Sequence, residues 1–412
     1  MKVDWPFEYP GINWLGREEE QAALDVIRKG SLFRYYGPKR PTHVAQLEEW
    51  AKGFYGVRHA LAVNSGTGAL CTAMSALRIG PGDEVIVPAF LWVATVNAIV
   101  LCNAIPVFCE IDDSFNMDAG DLRKKITKHT KLITAIHMAG APCAMDAIMQ
   151  VANEHAVPVL EDCAQCNGGS FGNRKVGSFG KVATFSLQIN KNVTAGEGGL
   201  VVTNDDALYD RLIAAHDLGV PWKNAAPDER SDVRLWGQGR RMSELAGAVA
   251  NVQIRKLPEV IAHMRSSKER IKSILGTPPG VSFRRLNDPA GDTGPFLILR
   301  SDNAAHARRI ADNLAARGIK NSFLLSEYGL HIYHNIRALV HKTPLSAAGN
   351  PWSLPQNAES VYRYERGACP QSDALFEHSV IITIPSRLTD AQERQMAEAI
   401  IRSISARPHG QA

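Results

Sequence analysis

Phe185-Ser186-Leu187-Gln188-Ile189-Asn190-Lys191-Asn192-Val193-Thr194-Ala195-Gly196-Glu197-Gly198-Gly199 decides how this chain is read. It opens on the end of an apolar, β-branched run, Val182-Ala183-Thr184-Phe185, which reads as a buried strand. It closes in a glycine cluster followed by a second such run, Leu200-Val201-Val202-Thr203. Between the two strands stands one lysine, Lys191, among small, polar and apolar residues and no other cation. A lysine held beside buried strands loses solvation, so its amine pKa falls and the neutral amine can attack a carbonyl to form a Schiff base. A lone loop lysine is more often a solvated surface residue. The rest of the chain decides between the two.

Working outward, the pattern from His59 alternates short strands with helices. The strands read His59–Val63, Glu84–Val87, Ile105–Cys109, Leu132–His137, Val157–Glu161, Val182–Phe185 and Leu200–Thr203. Helical spacing recurs in Glu18–Ile27, His43–Phe54, Ala144–His155, Ala207–His216 and Met242–Leu257. This predicts an α/β fold, a mostly parallel seven-stranded sheet between helices. Beyond Val260 the pattern changes to a helix, a strand at Phe296–Leu299, a helix at Ala304–Arg317, a last strand at Val380–Ile384 and a last helix at Asp390–Ile404. We read an N-terminal arm and large domain over 1–258 and a smaller C-terminal α+β domain over 259–412. The stretch 329–372, rich in His, Pro and Tyr, reads as a long, partly functional loop.

Composition narrows the class. The chain has 412 residues, 45% hydrophobic and 21% charged, with a formal net charge of +4 spread along its length. That excess gives no reason to invoke nucleic acid or a membrane surface. Met1-Lys2-Val3-Asp4-Trp5-Pro6 has no apolar signal core and no apolar run reaches membrane-spanning length, so a cytoplasmic protein is expected. Seven cysteines, an odd number, are expected to be reduced. Cys163-Ala164-Gln165-Cys166 has CxxC spacing and invites a redox or zinc reading, but no second pair completes a structural zinc site, and small cysteines are common beside buried strands. No metal is expected.

Three further motifs follow strands, where sites in such sheets gather. Ser65-Gly66-Thr67 lies where a strand turns into a helix, so unpaired amides, a helix dipole and two hydroxyls suit a phosphate, or the serine is only a cap. Glu161-Asp162 offers an acid for a metal, a ribose or a protonated heterocycle, or again a cap. Pro88-Ala89-Phe90-Leu91-Trp92 ends in an aromatic able to lie against a flat ring, unless it is core. With Lys191 these make one set: a Schiff-base amine, a phosphate cradle, an acid for a ring nitrogen and an aromatic lid. Pyridoxal 5′-phosphate asks for that set.

The chain resembles the DegT/StrS-type sugar aminotransferase family, pyridoxal-phosphate enzymes of the aspartate aminotransferase-like fold (fold type I). The resemblance is carried by Asn64–Leu70, Val87–Phe90, Met145–Ile148, Glu161–Gln165, Lys175–Gly180 and Phe185–Gly199, in family order. It implies that Lys191 is the catalytic Schiff-base lysine and proton carrier. It also implies that Asp162 pairs with the pyridine nitrogen, Gln165 bonds the phenolic oxygen, Gly66, Thr67 and Ser186 hold the phosphate, and Trp92 stacks on the ring. The activity implied moves an amino group from glutamate or glutamine to a keto group of a sugar, nucleotide-sugar or cyclitol, in a homodimer with active sites at the interface. A pyridoxamine-dependent dehydratase, in which the lysine is typically replaced by histidine, and a non-catalytic relative with a regulatory or binding role are the alternatives. Two positions depart from the family. Gly239 stands in Gly237-Gln238-Gly239-Arg240-Arg241 where members commonly carry an asparagine that reaches the neighbouring subunit's phosphate, leaving Arg240 or Arg241 as substitutes. Gln188 stands where many nucleotide-sugar members carry histidine, and in having glutamine there the chain is similar to the branch acting on cyclitols and amino-hydroxybenzoate. The aromatic residues Tyr35, Tyr36, Tyr333 and His334 are further candidates for the pocket wall.

Overall fold

The computed structural model describes residues 9–219 and 235–406; the Met1–Pro6 stretch lies outside them. Helices α1 (Arg17–Lys29) and α2 (His43–Tyr55) lead into β1 (His59–Val63). There follow α3 (Gly66–Ala76), β2 (Glu84–Pro88), α4 (Val93–Leu101), β3 (Ile105–Cys109), α5 (Ala119–Lys125), β4 (Thr130–Ile136), α6 (Met145–Glu154) and β5 (Val159–Asp162). A two-stranded hairpin, β6 (Ser170–Phe171) and β7 (Arg174–Lys175), precedes β8 (Val182–Ser186) and β9 (Gly199–Thr203).

These strands, the small hairpin apart, form a seven-stranded sheet in the order β1-β9-β8-β5-β4-β2-β3. From β3 to β8 the pairing is parallel, and β9 runs antiparallel to both β8 and β1. The reason is local: β8 and β9 are joined by the Lys191 loop, which holds no crossover helix, so the chain can only turn back on itself. The parallel strands are buried along their length, as in Glu84-Val85-Ile86-Val87-Pro88, because helices cover both faces. Their carboxyl ends share one edge, and Trp92, Asp162 and Ser186 all sit there.

After α7 (Asp206–His216), helix α8 (Glu244–Leu275) carries the chain into a four-stranded antiparallel sheet. That sheet has the order β10 (Val281–Phe283), β11 (Phe296–Ser301), β13 (Ser379–Thr383), β12 (Ser322–Leu324). Helices α9 (Ala304–Ala316) and α12 (Asp390–Ser405) complete this smaller sheet domain, which has its own buried cluster rich in Ile, Leu and Ala, whereas α10 (Arg337–Val340) and α11 (Pro370–Glu377) place Leu339 and Phe376 in the core cluster of the larger sheet. Among the described residues no helix is long and apolar enough to cross a membrane.

Two strands of the smaller sheet, β10 and β12, were not expected from the sequence, and one helix crosses the boundary drawn from it. A helix ending at Leu257 and a second beyond Val260 are a single helix of 32 residues with Pro258 inside it, so the division drawn at 258/259 falls within a helix. Proline removes one helical donor. Packing on either side keeps the helix continuous: Leu257 and Ile261 lie against Gly168, and Val260 and Met264 bury Trp14.

Candidate active site

The cradle is built from backbone. The Ser65 hydroxyl caps α3 by accepting the Gly68 N–H at 2.9 Å, and the first-turn amides of Gly66 and Thr67 have no intrahelical acceptor. A Cβ on Gly66 would stand 2.7 Å from Ser186 Cβ and 2.9 Å from its Oγ. Only glycine lets the β8 hydroxyl close on the helix N-terminus, and the dipole there favours an anion.

Lys191 sits in a loop folded tightly between β8 and β9. Leu187 N–H donates to Gly198 O at 2.9 Å, Ile189 N–H to Gly196 O at 3.0 Å, and the Gly11 N–H of the N-terminal arm to Lys191 O at 2.9 Å. Burial pushes the Lys191 amine below the ordinary lysine range, opposed by the charges of Asp162 and Glu197. Burial likewise raises the Asp162 carboxyl above the ordinary range, although it accepts the Ala164 N–H and the Thr95 hydroxyl, each at 3.0 Å. Asp162 is thus a desolvated acid facing a cavity, a place suited to a protonated ring nitrogen. Gln165 accepts the Ala139 N–H on Oε1 at 3.1 Å, which turns its amide NH2 to the other side as a donor.

All of these side chains, with Trp92, line one cavity of about 540 Å³. The structure therefore brings Gly66, Thr67, Trp92, Asp162, Gln165, Ser186 and Lys191 together. The opposite wall comes from the smaller sheet domain, including Asn321, Phe323, Tyr328 and His331, none of which the sequence singled out. His331 lies between Trp92 (ring centroids 4.7 Å apart) and Tyr328 (4.2 Å, stacked). Its Nδ1–H donates to Tyr328 O at 3.1 Å, and burial pushes its pKa down to about 4. It is a neutral imidazole whose Nε2 is left as an acceptor. The loop is sewn to the Pro88–Trp92 motif by Leu91 N–H to His331 O (3.0 Å) and Tyr333 N–H to Ala89 O (3.2 Å).

Within the single chain, the aromatic candidates named from sequence lie outside this cavity. Tyr333 is fully buried, its hydroxyl at 3.2 Å from Asp373, and His334 faces the same acid. Tyr35 bonds His216 at 2.9 Å, and Tyr36 is exposed. Arg241 pairs with Asp217 and lies over the Phe33 ring, so it does not reach the cradle of its own chain. Arg240 packs its stem at Gly68, with its guanidinium acting on Cys71. Gly239 has φ +64, a conformation that glycine and asparagine both tolerate, which accounts for the exchange of one for the other. Cys163 and Cys166 are buried free thiols, and burial holds both above the ordinary thiol range. Such thiols are inert, which disfavours a redox pair.

A sequence model of the DegT/DnrJ/EryC1/StrS aminotransferase family matches residues 15–401. The GDP-perosamine synthase of Vibrio cholerae is 38% identical over 241 residues, 58% of this chain and 64% of that relative's own length. The solved structure of S. venezuelae DesV in complex with a ketimine intermediate superposes with a TM-score of 0.80 at 25% identity, covering 99% of this chain and all of that one. A 3-amino-5-hydroxybenzoic acid synthase structure gives 0.79 at 25%, over 98% and 99% of the two chains.

Proposed function

Since the chain belongs to the DegT/DnrJ/EryC1/StrS aminotransferase family, we propose that it is a pyridoxal-phosphate-dependent aminotransferase acting on a keto group of a sugar. The observation that carries this is Lys191, an amine depressed by burial in the same cavity as a desolvated acid and a helix N-terminus. When bound, the cofactor supplies an aldehyde for Schiff-base formation and a pyridinium ring that withdraws electrons from a substrate carbon. The chain's residues do the rest. Gly66, Thr67 and Ser186 would hold the phosphate, Trp92 would cover the ring face, and the Gln165 amide would donate to the phenolic oxygen. Asp162 Oδ would keep the ring nitrogen protonated, since a desolvated carboxylate gains most from a cation beside it. Lys191 Nζ, once freed, would take a proton from one carbon and return it to another.

In the two half-reactions an amino acid gives up its amine and leaves as the 2-oxo acid, and the acceptor's carbonyl oxygen is exchanged for that amine. Glutamate or glutamine is the proposed donor. The name of the V. cholerae relative favours a nucleotide-linked keto sugar as acceptor, with a free sugar or cyclitol as the alternatives that Gln188 leaves open. Retention of Lys191 disfavours the dehydratase. We place the cofactor on the 1–258 portion and assign the closing wall of the cavity to 259–412. A cytoplasmic homodimer with active sites at its interface completes the reading. The test is an absorbance spectrum of the cofactor-loaded protein with glutamate and then glutamine added. Loss of the visible band with either, and its return on adding a keto sugar, supports the proposal; a band that neither amino acid changes sinks it.

A further inference from the structure

A guanidinium from the smaller sheet domain is buried against the cavity's floor without an acid of its own. Arg284 follows β10, its N–H continuing the ladder to Ile298 O at 3.1 Å. Its side chain, only 6% exposed, crosses to the other sheet, where Nη1 donates to Ala139 O and Nη2 to Met138 O, both at 3.2 Å. Its Nε has no partner among the described residues, and the acid that acts on it most, Asp292, is paired with Lys268. A cation in that position is desolvated at considerable cost, and an apolar side chain would fill the space more cheaply.

The turn it grips is also costly. Ala139 lies in the left-handed region (φ 51, ψ 42), which disfavours any residue with a Cβ. Gly140 follows at φ +79, where a Cβ would meet Pro295 at 2.4 Å. Other clamps hold the same turn: Asn116 Oδ1 accepts the Met138 N–H at 3.0 Å, and Gly140 O accepts the Thr293 N–H at 2.8 Å and hydroxyl at 3.0 Å. Two unfavourable features thus meet at one turn, and the N–H that the turn frees is the one on Gln165 Oε1.

We propose that Arg284 is a positioning residue that sets the hydrogen-bond polarity of Gln165. By holding the 138–140 turn left-handed it keeps the Ala139 N–H on Gln165 Oε1 and the amide NH2 toward the cavity. A glutamine amide is nearly symmetric in shape and reverses its polarity on a half-turn. Among the described residues the Ala139 N–H is the hydrogen bond that opposes that half-turn, and after it the oxygen would face the cofactor's phenolic oxygen and repel it. The proposal rests on the functional reading above.

The experiment is a pH titration of the visible band in cofactor-loaded protein for wild type, Arg284→Met, Arg284→Lys, Gln165→Leu and the Gln165→Leu/Arg284→Met double variant. Losing a donor to a charged oxygen is expected to raise the midpoint by about one pH unit in Gln165→Leu and nearly as much in Arg284→Met. The double variant should show no further shift, because both changes remove one interaction. Arg284→Lys, which keeps the charge but cannot grip both carbonyls, should fall between and stands in if the methionine variant does not fold. Backbone hydrogen exchange across 137–141 in the cofactor-free protein should quicken in the Arg284 variants. An unmoved midpoint in a folded Arg284 variant, or shifts that add to those of Gln165→Leu, would overturn the proposal alone. A wild-type protein with no visible band would overturn the functional reading, and this one with it.

Discussion

Glu161 and Asp162 are neighbours on β5, so their side chains leave opposite faces of the sheet. Glu161 is met by four donors: the Gly177 N–H at 2.7 Å and His137 Nε2 at 3.2 Å on one oxygen, the Phe179 and Gly180 N–H groups at 2.7 Å on the other. His137 is fixed in turn, its Nδ1 accepting the Cys143 N–H at 3.0 Å, so Nε2 carries the proton that it donates. His137, Glu161 and Cys163 stand close enough together to suggest a metal site, yet the carboxylate is already taken by N–H donors. Asp162 has two donors, a cavity in front of it and a pKa raised by burial. Unfilled space in front of the carboxylate separates a functional acid from a structural one. Both are buried, and only one is left with something to bind.

The strongest way to break this comparison is to remove the amine that Asp162 faces. Lys191→Ala should fold, lose the visible band and lose turnover by at least ~1,000-fold, within the range that proton transfer alone accounts for. A yellow, active Lys191→Ala protein would put the chemistry on the wrong face. Next come the two acids themselves. Asp162→Asn is expected to cost about 3 kcal/mol of cofactor and transition-state binding, a ~100-fold effect, with little change in denaturant midpoint. Glu161→Gln should do the reverse: about 2 kcal/mol less stable, because an amide cannot accept every one of those N–H groups, with turnover in the folded fraction unchanged. Equal effects of the two substitutions on both readouts would erase the distinction.

A smaller effect is expected in the cradle. Gly66→Ala places a methyl against Ser186 and should weaken cofactor binding by about tenfold while the fold persists. Equilibrium dialysis against pyridoxal phosphate measures it. The smallest concerns the wall opposite. His331 has a folded pKa of about 4 against an ordinary 6.5, so between those values the unfolded chain binds a proton that the folded chain refuses. Stability should therefore fall as pH drops from about 6.5 toward 4, and His331→Asn should flatten that limb by about 1 kcal/mol after solvent screening. Urea midpoints across that range, identical in the two proteins, would show that the imidazole is not held neutral by burial.

Much of the Asp162 side of the comparison was legible in the sequence because its motifs follow strands. Ser65-Gly66-Thr67, Trp92 and Asp162 are placed by local rules and one sheet edge assembles them, whereas Gln165 and Ser186 entered only through the family resemblance. Tyr328 and His331 were not legible. They come from a stretch of short 3₁₀ turns, Leu325–Glu327, Gly329–His331 and Tyr333–Asn335, with Tyr328 at the junction of the first two and no period to tell which ring faces in. The sequence favoured Tyr333 and His334, and the turns aim those at Asp373 instead. Their cue lies in a long-range pairing, Phe90 with Ile332, that no local pattern carries. The role of Glu161 was hidden similarly: Lys175–Gly180 reads as a motif, but that its amides close around a carboxylate on the far face of β5 appears only in three dimensions. Helix α8 shows the same limit, since Pro258 argues locally for a break that packing on both sides overrules.

The cavity in front of Asp162 presents one reactive amine, Lys191. The most direct measurement is to load the purified protein with pyridoxal phosphate, reduce it with borohydride, and map the modified peptide by mass. Reduction fixes the carbon–nitrogen bond wherever it has formed. One label per chain is expected, on Lys191, absent from Lys191→Ala. A label on another lysine, or none in a folded protein that binds the cofactor, would contradict that assignment.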